Sequence, residues 1–468
     1  MGFSFVRLAC AASLLPAALA QIIARSEPEP VASAVAVDTL DFSDAAEVQT
    51  TTLKGINFGC KCYPGKRCWP STNKWKTLNA TVDGRLLVDI PPGAPCHNTF
   101  TGPLGTVNTY DAAKCAEATQ NWESETWIVS QPAAELWTYF TNDTCRPTQN
   151  PTGSCTLGYY GVYVIMATKA QHVKAGIDFA RRNNLRLIVR NTGHDFIGRS
   201  TGYGALIINT HSFQQIDWIN SYRGPGSYRG GAVTLGAGVQ GETILAQGHA
   251  RNPPLVVVTG ECPTLGIAGG FIQGGGHGPW TTLKGFSADN VLAFEAITAS
   301  GLYVTANEWQ NPDVATNNDG IIEAFKTVLS PRPDVFAFMI GHLFNPGYGA
   351  PKSNSATHPA WRNATNFVIA AMLVPVGSSL AQKADLQNLL TNTVDEALRD
   401  ASTSGCTYVN EADPYQPNWQ SHFWGSEYPK LRALRWKWDP LGVFYAISTP
   451  GTEGWEVIDD GTRLCRKL

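Results

Sequence analysis

Hydrophobic periodicity is strongest in the middle of the chain. The apolar run Tyr159–Met166 predicts a strand, and Thr168–Gln171 has the S/T-x-x-E/Q pattern of a capping box. Apolar residues then recur at helical spacing, which predicts a helix ending near Asn183: Val173, Ile177 and Ala180. The next apolar run, Leu185–Val189, predicts a second strand. Together these segments predict a β-α-β unit.

Further elements are predicted on both sides of this unit. The predicted strands are Ala205–Asn209, Ala232–Gly236, Leu255–Val258 and Val291–Ala299, and the segments Phe336–Phe344 and Asn366–Pro375 are assigned to a following domain. The predicted helices are Gly241–Gly248 and Leu380–Arg399. Glycine and proline punctuate residues 60–155, which predicts a loop-rich lobe.

Two of the predicted strands lead into turns that carry reactive side chains. His194 follows Leu185–Val189, and Cys262 follows Leu255–Val258; glycines surround both residues. Glycine lets backbone amides approach a ligand and donate to anionic oxygens, as a phosphate-bearing cofactor requires. Taken alone, the histidine is also compatible with a structural role, and the cysteine with a buried thiol or a disulfide partner.

The motifs around these turns resemble the berberine bridge enzyme-like flavoproteins of the vanillyl-alcohol oxidase superfamily. They are Gly193-His194-Asp195, Cys262-Pro263-Thr264, Phe271–Gly278, Phe286–Leu292, Tyr408–Asp413 and Asp439–Tyr445. The resemblance implies that His194 is joined to the 8α carbon of FAD and Cys262 to C6 of its isoalloxazine ring. A nicotinamide site is rejected, because Gly278-Pro279 interrupts the glycine pattern and no amphipathic helix follows.

The resemblance also implies the remaining site residues. Besides His194 and Cys262, the cofactor-binding candidates are Gly193, Asp195, Gly198, Arg199, Ser200, Gly266, Gly269, Gly270, Gly276, His277 and Asn410. Arg199 and Ser200 are expected to help hold the pyrophosphate, and His277 either contacts the cofactor or caps a turn. Tyr408 or Glu411 is nominated as catalytic base, although Glu411 is equally compatible with a structural ion pair. No metal site is predicted.

Leu265, three residues after the cysteine, departs from the family pattern. In the family this position lies over the flavin near C4a, and a valine there accompanies ready access of oxygen. Leucine is one methylene larger, so Leu265 either restricts a small oxygen pocket or is a neutral apolar substitution.

Composition and targeting signals add a cellular context. A net charge of −3 shows no basic bias toward nucleic acid or anionic membranes. Residues 1–20 read as a signal peptide with an A-x-A cleavage site at Ala18–Ala20, which predicts a secreted protein. Seven of the 11 cysteines lie between residues 60 and 155 and predict disulfides. Three glycosylation sequons fit the same route: Asn79, Asn142 and Asn363.

The predicted fold class is α+β: a p-cresol methylhydroxylase-type (PCMH-type) FAD-binding domain, a Cys-rich N-terminal lobe and an incomplete α+β substrate domain. The predicted divisions are a signal peptide (1–20), a flexible lead-in (21–59), the lobe (60–149), the FAD-binding domain (150–305), the shortened substrate domain (306–405) and a C-terminal segment returning to the FAD domain (406–468). The shortening is inferred because Val314–Gly320 replaces a longer family segment.

The resemblance implies a monomeric oxidoreductase that passes a hydride from a small organic substrate to covalently bound FAD. An alcohol or a secondary-metabolite intermediate is the expected substrate, and O2 the expected acceptor. Two alternatives stay open at this point. One is a carbohydrate oxidase, and the other is an inactive secreted remnant, which the missing segment motivates.

Overall fold

The computed structural model describes residues 40–224, 228–307, 332, 334–343, 345–346, 356–364, 366–402 and 405–468. The predicted signal peptide and the departure at Val314–Gly320 lie outside these residues. Helices and sheets are mixed along the chain, as expected for the α+β class. Among the described residues, no helix combines the length and the apolar character needed to cross a bilayer.

The described strands are β1 (Gln49–Leu53), β2 (Ile56–Cys60), β3 (Leu86–Val88), β4 (Thr99–Gly102), β5 (Gly105–Asn108), β6 (Tyr163–Met166), β7 (Leu187–Arg190), β8 (Leu206–Asn209), β9 (Ile216–Arg223), β10 (Arg229–Leu235), β11 (Ala293–Ile297), β12 (Tyr303–Asn307), β13 (Ala337–Leu343), β14 (Asn366–Met372), β15 (Trp455–Ile458) and β16 (Arg463–Lys467). The described α-helices are α1 (Thr72–Thr81), α2 (Ala112–Asn121), α3 (Glu125–Ser130), α4 (Ala170–Arg182), α5 (Gly241–His249), α6 (Thr281–Lys284), α7 (Leu380–Leu389), α8 (Asp395–Ala401), α9 (Trp419–Trp424) and α10 (Tyr428–Trp438).

The predicted β-α-β unit forms the centre of a four-stranded sheet with the order β3-β6-β8-β7. Strands β6 and β7 each pair in parallel with β8, so α4 crosses over between two strands that flank a third. Alternate residues of the sheet enter two different cores. Ile165 and Ile208 pack with α4 on one face, whereas Val164 and Ile207 pack against the disulfide-bonded lobe on the other.

The beginning of α4 differs from the prediction. The helix begins at Ala170 with Lys169 as its N-cap, and no side chain caps it. The amide of Thr168 instead donates to Nδ1 of the fully buried His172, at 3.4 Å. The capping-box interpretation of Thr168–Gln171 is therefore wrong, because the His172 imidazole takes the place of the Gln171 side chain as acceptor of the Thr168 amide proton. The predicted C-terminus is confirmed, with Asn183 as C-cap.

Leu255–Val258 is not a strand, although its composition predicted one. The amide of Leu255 donates to the Gly248 carbonyl at the end of α5, at 2.9 Å, which ties the run to that helix instead of a sheet. Leu255 and Val256 are exposed, and Val258 alone is buried. The Cys262 turn is therefore preceded by an extended segment held by α5.

The predicted flexible lead-in ends earlier than residue 59. Strands β1 and β2 form a hairpin from Gln49 to Cys60, and β2 pairs with β16 in a sheet ordered β1-β2-β16-β15. A disulfide joins Cys60 to Cys465, which face each other in this register. The disulfide and the strand pairing thus join segments near both ends of the described chain. This long-range pairing could not be predicted from the local sequence pattern.

Candidate active site

His194 and Cys262 lie on two turns that line one cavity. The His194 turn follows β7, whose last residue, Arg190, is fully buried. The Arg190 guanidinium donates to the backbone carbonyls of Gln131 at 2.8 Å and Ala134 at 3.0 Å. These bonds hold the segment after α3 against the turn, because charge-assisted donors satisfy otherwise buried carbonyls.

Gly193 shows why the His194 turn needs glycine. Its φ of +80° lies in the left-handed region, and a Cβ there would stand 2.9 Å from the carbonyl oxygen of Ala134. Any other residue would therefore displace either the turn or the segment that Arg190 holds. The predicted glycine requirement has a local steric cause.

Thr264 connects the Cys262 turn to the His194 turn. This threonine is buried, and its Oγ1 lies 2.7 Å from Nε2 of His194. The same hydroxyl donates to Oε2 of Glu125, in the first turn of α3, at 2.9 Å. Desolvation, with a smaller contribution from Arg190, lowers the pKa of His194 to about 4. The imidazole is therefore neutral at neutral pH, as a nucleophilic histidine must be.

Arg199 ties the C-terminal segment to the His194 turn. Its guanidinium donates from Nε to Oδ1 of Asp195 at 2.8 Å and from Nη2 to Oδ1 of Asn410 at 2.9 Å. Asp195 also accepts the Arg199 amide at 2.7 Å. Arg199 is thus engaged by protein groups, while its predicted contact with a pyrophosphate stays a prediction.

Asn410 packs directly on the glycine-rich turn after Cys262. Its Nδ2 donates to the Gly270 carbonyl at 2.9 Å and to the Tyr408 hydroxyl at 2.8 Å. A Cβ on Gly274 would lie 2.4 Å from this same Nδ2, so the close approach requires glycine. The Asn410 side chain therefore fixes where the C-terminal segment sits relative to the cavity.

The two candidate bases differ in their surroundings. Tyr408 is buried, and burial, reinforced by the nearby charge of Glu411, raises its pKa well above the usual range. A group so hard to ionise is poorly suited to accept a proton from substrate. Glu411 lies 3.5 Å from Nε2 of His277, measured from Oε2, and both residues line the cavity. Burial thus disfavours Tyr408 as the base, and the role of Glu411 stays a prediction.

A second acidic and basic pair in the cavity was missed by sequence reasoning. Nδ1 of His342, on β13, lies 3.0 Å from Oε1 of Glu261, and the His342 ring centroid is 5.5 Å from that of His277. Trp361 and Phe367 pack around His277 and form an aromatic wall. Glu261 could have been noticed in the sequence as the neighbour of Cys262. His342 belongs to no motif, and only the fold places it at the cavity.

Most predicted site residues line the cavity: His194, Cys262, Gly193, Asp195, Arg199, Ser200, Gly266, Gly269, Gly270, His277, Tyr408, Asn410 and Glu411. Two others lie behind its wall. A Cβ on Gly198 would meet Phe140 at 2.5 Å, and one on Gly276 would meet Phe271 at 2.7 Å. Both phenylalanines line the cavity. Gly198 and Gly276 thus leave room for two side chains of the wall, and their predicted contact with the cofactor stays a prediction.

The cavity suits a large planar cofactor. Its volume is about 1620 Å³, above the roughly 300–1,000 Å³ typical of small-molecule pockets. At Gly269 and Gly270 a Cβ would meet nothing within 4 Å, so the backbone there is open to close approach by a ligand. The residues present therefore fit a flavin and leave room for a substrate beside it.

Comparisons with known proteins agree with this geometry. Residues 162–307 match the family model of the FAD binding domain, and residues 407–447 match the model described as berberine and berberine like. The FAD-linked oxidoreductase ZEB1 of Gibberella zeae is 29% identical, with 89% of this chain and 96% of the relative covered. Its alignment spans 559 positions, more than the 468 residues of this chain, so the relative carries segments that this chain lacks.

Two further comparisons concern the fold and the activity. A VAO-type flavoprotein oxidase of Thermothelomyces thermophilus is 27% identical, with 90% of this chain and 97% of the relative covered. The crystal structure of a VAO-type flavoprotein from Myceliophthora thermophila superimposes with a TM-score of 0.76 at 26% identity, covering 87% of this chain and all of that one. The chain is therefore an FAD-linked oxidoreductase with a PCMH-type FAD-binding fold. Within that class its similarity is to VAO-type flavoproteins, and its C-terminal segment matches the berberine-like family model.

Proposed function

We propose that the protein binds FAD through two covalent bonds, from His194 to the 8α carbon and from Cys262 to C6. The observation that carries this proposal is that both side chains line one cavity, with Thr264 of the Cys262 turn hydrogen-bonded to His194. When bound, FAD supplies an acceptor for a hydride from the substrate. The protein's own residues hold the ring, shield it from bulk water and receive the proton.

The proposed substrate is a small organic molecule, an alcohol or a secondary-metabolite intermediate, with O2 as electron acceptor. The neighbouring aromatic side chains Trp361 and Phe367 favour a planar or apolar substrate. Glu411, beside His277, is the group best placed to accept the substrate proton. The relative named as a flavoprotein oxidase supports O2 as the acceptor.

Secretion belongs to the same proposal. Four disulfides link eight of the ten described cysteines: Cys60–Cys465, Cys62–Cys68, Cys96–Cys115 and Cys145–Cys155. Disulfides at this density are typical of proteins that mature in an oxidising compartment. Expression of the full chain in a fungal host should deliver the protein to the medium, and retention inside the cell would contradict the proposal.

The oxidase assignment can be tested on the purified protein. Purified material should absorb as an oxidised flavin, and a panel of alcohols, phenolic compounds and sugars should include one that bleaches this absorption in the absence of air. Admission of air should restore the flavin spectrum and produce hydrogen peroxide. A flavin that no compound of the panel reduces would instead favour the inactive remnant, and reduction by sugars alone would favour the carbohydrate oxidase.

A further inference from the structure

Three side chains from three separate elements form a continuous hydrogen-bonded chain at His194. Glu125 is the first residue of α3, directly after the N-cap Ser124. Its Oε2 accepts from Thr264 Oγ1 at 2.9 Å, and the same oxygen of Thr264 lies 2.7 Å from Nε2 of His194. Glu125 lies outside every sequence motif, Thr264 belongs to the Cys262 motif without having been assigned a role, and neither residue reacts in the proposed hydride transfer.

The number of available protons fixes the direction of these bonds. A threonine hydroxyl has one proton, and an ionised carboxylate only accepts. Since Thr264 donates to Glu125, its oxygen must accept from His194, which places the imidazole proton on Nε2. The lone pair then resides on Nδ1, and this nitrogen is the ring atom able to form a bond to carbon.

Burial makes this arrangement specific. Thr264 is 3% exposed, so water does not readily replace Glu125 as the acceptor of its hydroxyl proton. Desolvation holds the pKa of His194 at about 4, which leaves the ring with one proton to place. A neutral histidine in water samples both tautomers, whereas here the hydrogen-bonded chain selects one.

We propose that Thr264 and Glu125 are positioning residues for attachment of FAD to His194, fixing the reactive tautomer and accepting the Nε2 proton as the bond forms. This inference rests on the proposed covalent link at His194. Thr264 passes the proton by donating its own hydrogen to Glu125 while accepting that of His194. The carboxylate at the outer end of the chain therefore acts as the base through the hydroxyl.

The attachment balances as an oxidation. One C–H bond of the 8α methyl group is replaced by a bond from that carbon to Nδ1 of His194. Two protons are released, one from the methyl group and one from Nε2, together with two electrons. Dioxygen takes up the two electrons and two protons as hydrogen peroxide, and Glu125 receives the Nε2 proton on its way to solvent.

The test uses the full-length protein with Cys262→Ala, so that His194 is the sole covalent attachment site. Into this background we would introduce Thr264→Val, Thr264→Ser and Glu125→Gln separately. Thr126→Val and Glu242→Gln are matched controls, because both residues are exposed and lie outside the hydrogen-bonded chain. Peptide mapping would give the fraction of the His194 peptide that carries flavin, followed over time with added FAD in air.

Thr264→Val and Glu125→Gln should attach flavin roughly 10²-fold more slowly than the background protein, the usual contribution of one acid–base group. Thr264→Ser keeps the hydroxyl and should restore the rate, and the two controls should leave it unchanged. Attachment in Glu125→Gln should accelerate as pH rises, because hydroxide replaces the missing base. Melting temperature and non-covalently bound flavin would show that each variant still folds.

The outcomes distinguish the covalent link at His194 from the positioning role of Thr264 and Glu125. If the Cys262→Ala background itself carries no flavin on His194, the proposed covalent link fails, and the inference built on it falls with it. If the background is flavinylated and Thr264→Val and Glu125→Gln match its rate, the link stands and the positioning role is overturned. Failure of Thr264→Ser to rescue would also contradict the inference, since serine preserves the donor and acceptor.

Discussion

Nδ1 of His342 lies 3.0 Å from Oε1 of Glu261, so strand β13 contacts the residue that precedes Cys262. The hydrogen bond with Glu261 raises the pKa of His342 and lowers that of Glu261. A raised histidine pKa contributes stability that is fully present below its unfolded value, about 6.5, and lost as pH rises through the folded value. The contact between β13 and the Cys262 turn should therefore loosen in mildly alkaline solution.

Glu261→Gln tests this dependence. The melting temperature of the wild-type protein should fall further between pH 6 and pH 8.5 than that of the variant. The reason is that glutamine removes the charge that favours protonated His342. His249→Gln is the matched control, an exposed histidine at the end of α5. Equal pH dependence in wild type and Glu261→Gln would show that the pair does not titrate as described.

The disulfide between Cys60 and Cys465 should stabilise the fold more than a local one. It spans 405 residues and joins β2 to β16, whereas Cys62–Cys68 spans 6. Cross-linking a longer loop removes more entropy from the unfolded chain, and disulfides are typically worth about 2–4 kcal/mol. Replacing both Cys60 and Cys465 by serine should lower the melting temperature more than the same change at Cys62 and Cys68.

Peptide mapping without reduction checks the pairing directly. A cross-linked peptide containing Cys60 and Cys465 should appear, alongside three bridges within the N-terminal lobe. Cys262 and Cys406 lie outside the four disulfides. A bridge from Cys60 to another residue of the lobe would contradict the sheet that unites β2 with β16.

Leu265 is placed to control access to the cavity near Cys262. It lines the cavity, and its Cδ2 would stand 2.5 Å from a Cβ on Gly260, so it packs closely on that backbone. Leu265→Val removes one methylene, at a cost of about 1 kcal/mol if the site is well packed. The variant should reoxidise faster when photoreduced protein is mixed with oxygenated buffer in a stopped-flow instrument. Equal rates in both proteins would place the oxygen pocket elsewhere.

The sequence predicted the β-α-β unit because that unit depends on local signals, whereas the meeting of the His194 and Cys262 turns was implied by the family resemblance. Helix α4 follows its apolar spacing, and His194 and Cys262 occupy marked glycine-rich turns. Contacts between distant segments leave no such local signal. Neither the approach of His342 to Glu261 nor the pairing of Cys60 with Cys465 follows from periodicity, since both depend on how separate elements pack.

Two local predictions failed because a neighbouring group satisfied the backbone differently. The Thr168 amide, expected to donate to the Gln171 side chain at the start of α4, donates to the imidazole of His172 instead. The β-branched run Leu255–Val258 is hydrogen-bonded to the end of α5, and two of its apolar side chains are exposed. At both segments, contacts with neighbouring groups outweighed the local propensity.

Covalent attachment of FAD at both turns can be tested with one set of four proteins. Wild type, His194→Ala, Cys262→Ala and the double variant would be precipitated with acid, and the flavin remaining on the chain measured by absorbance and intact mass. Wild type and both single variants should each retain one FAD per chain, and the double variant none. Release of free flavin from the wild-type protein would contradict covalent attachment. Loss of all covalent flavin from either single variant would contradict attachment at both turns.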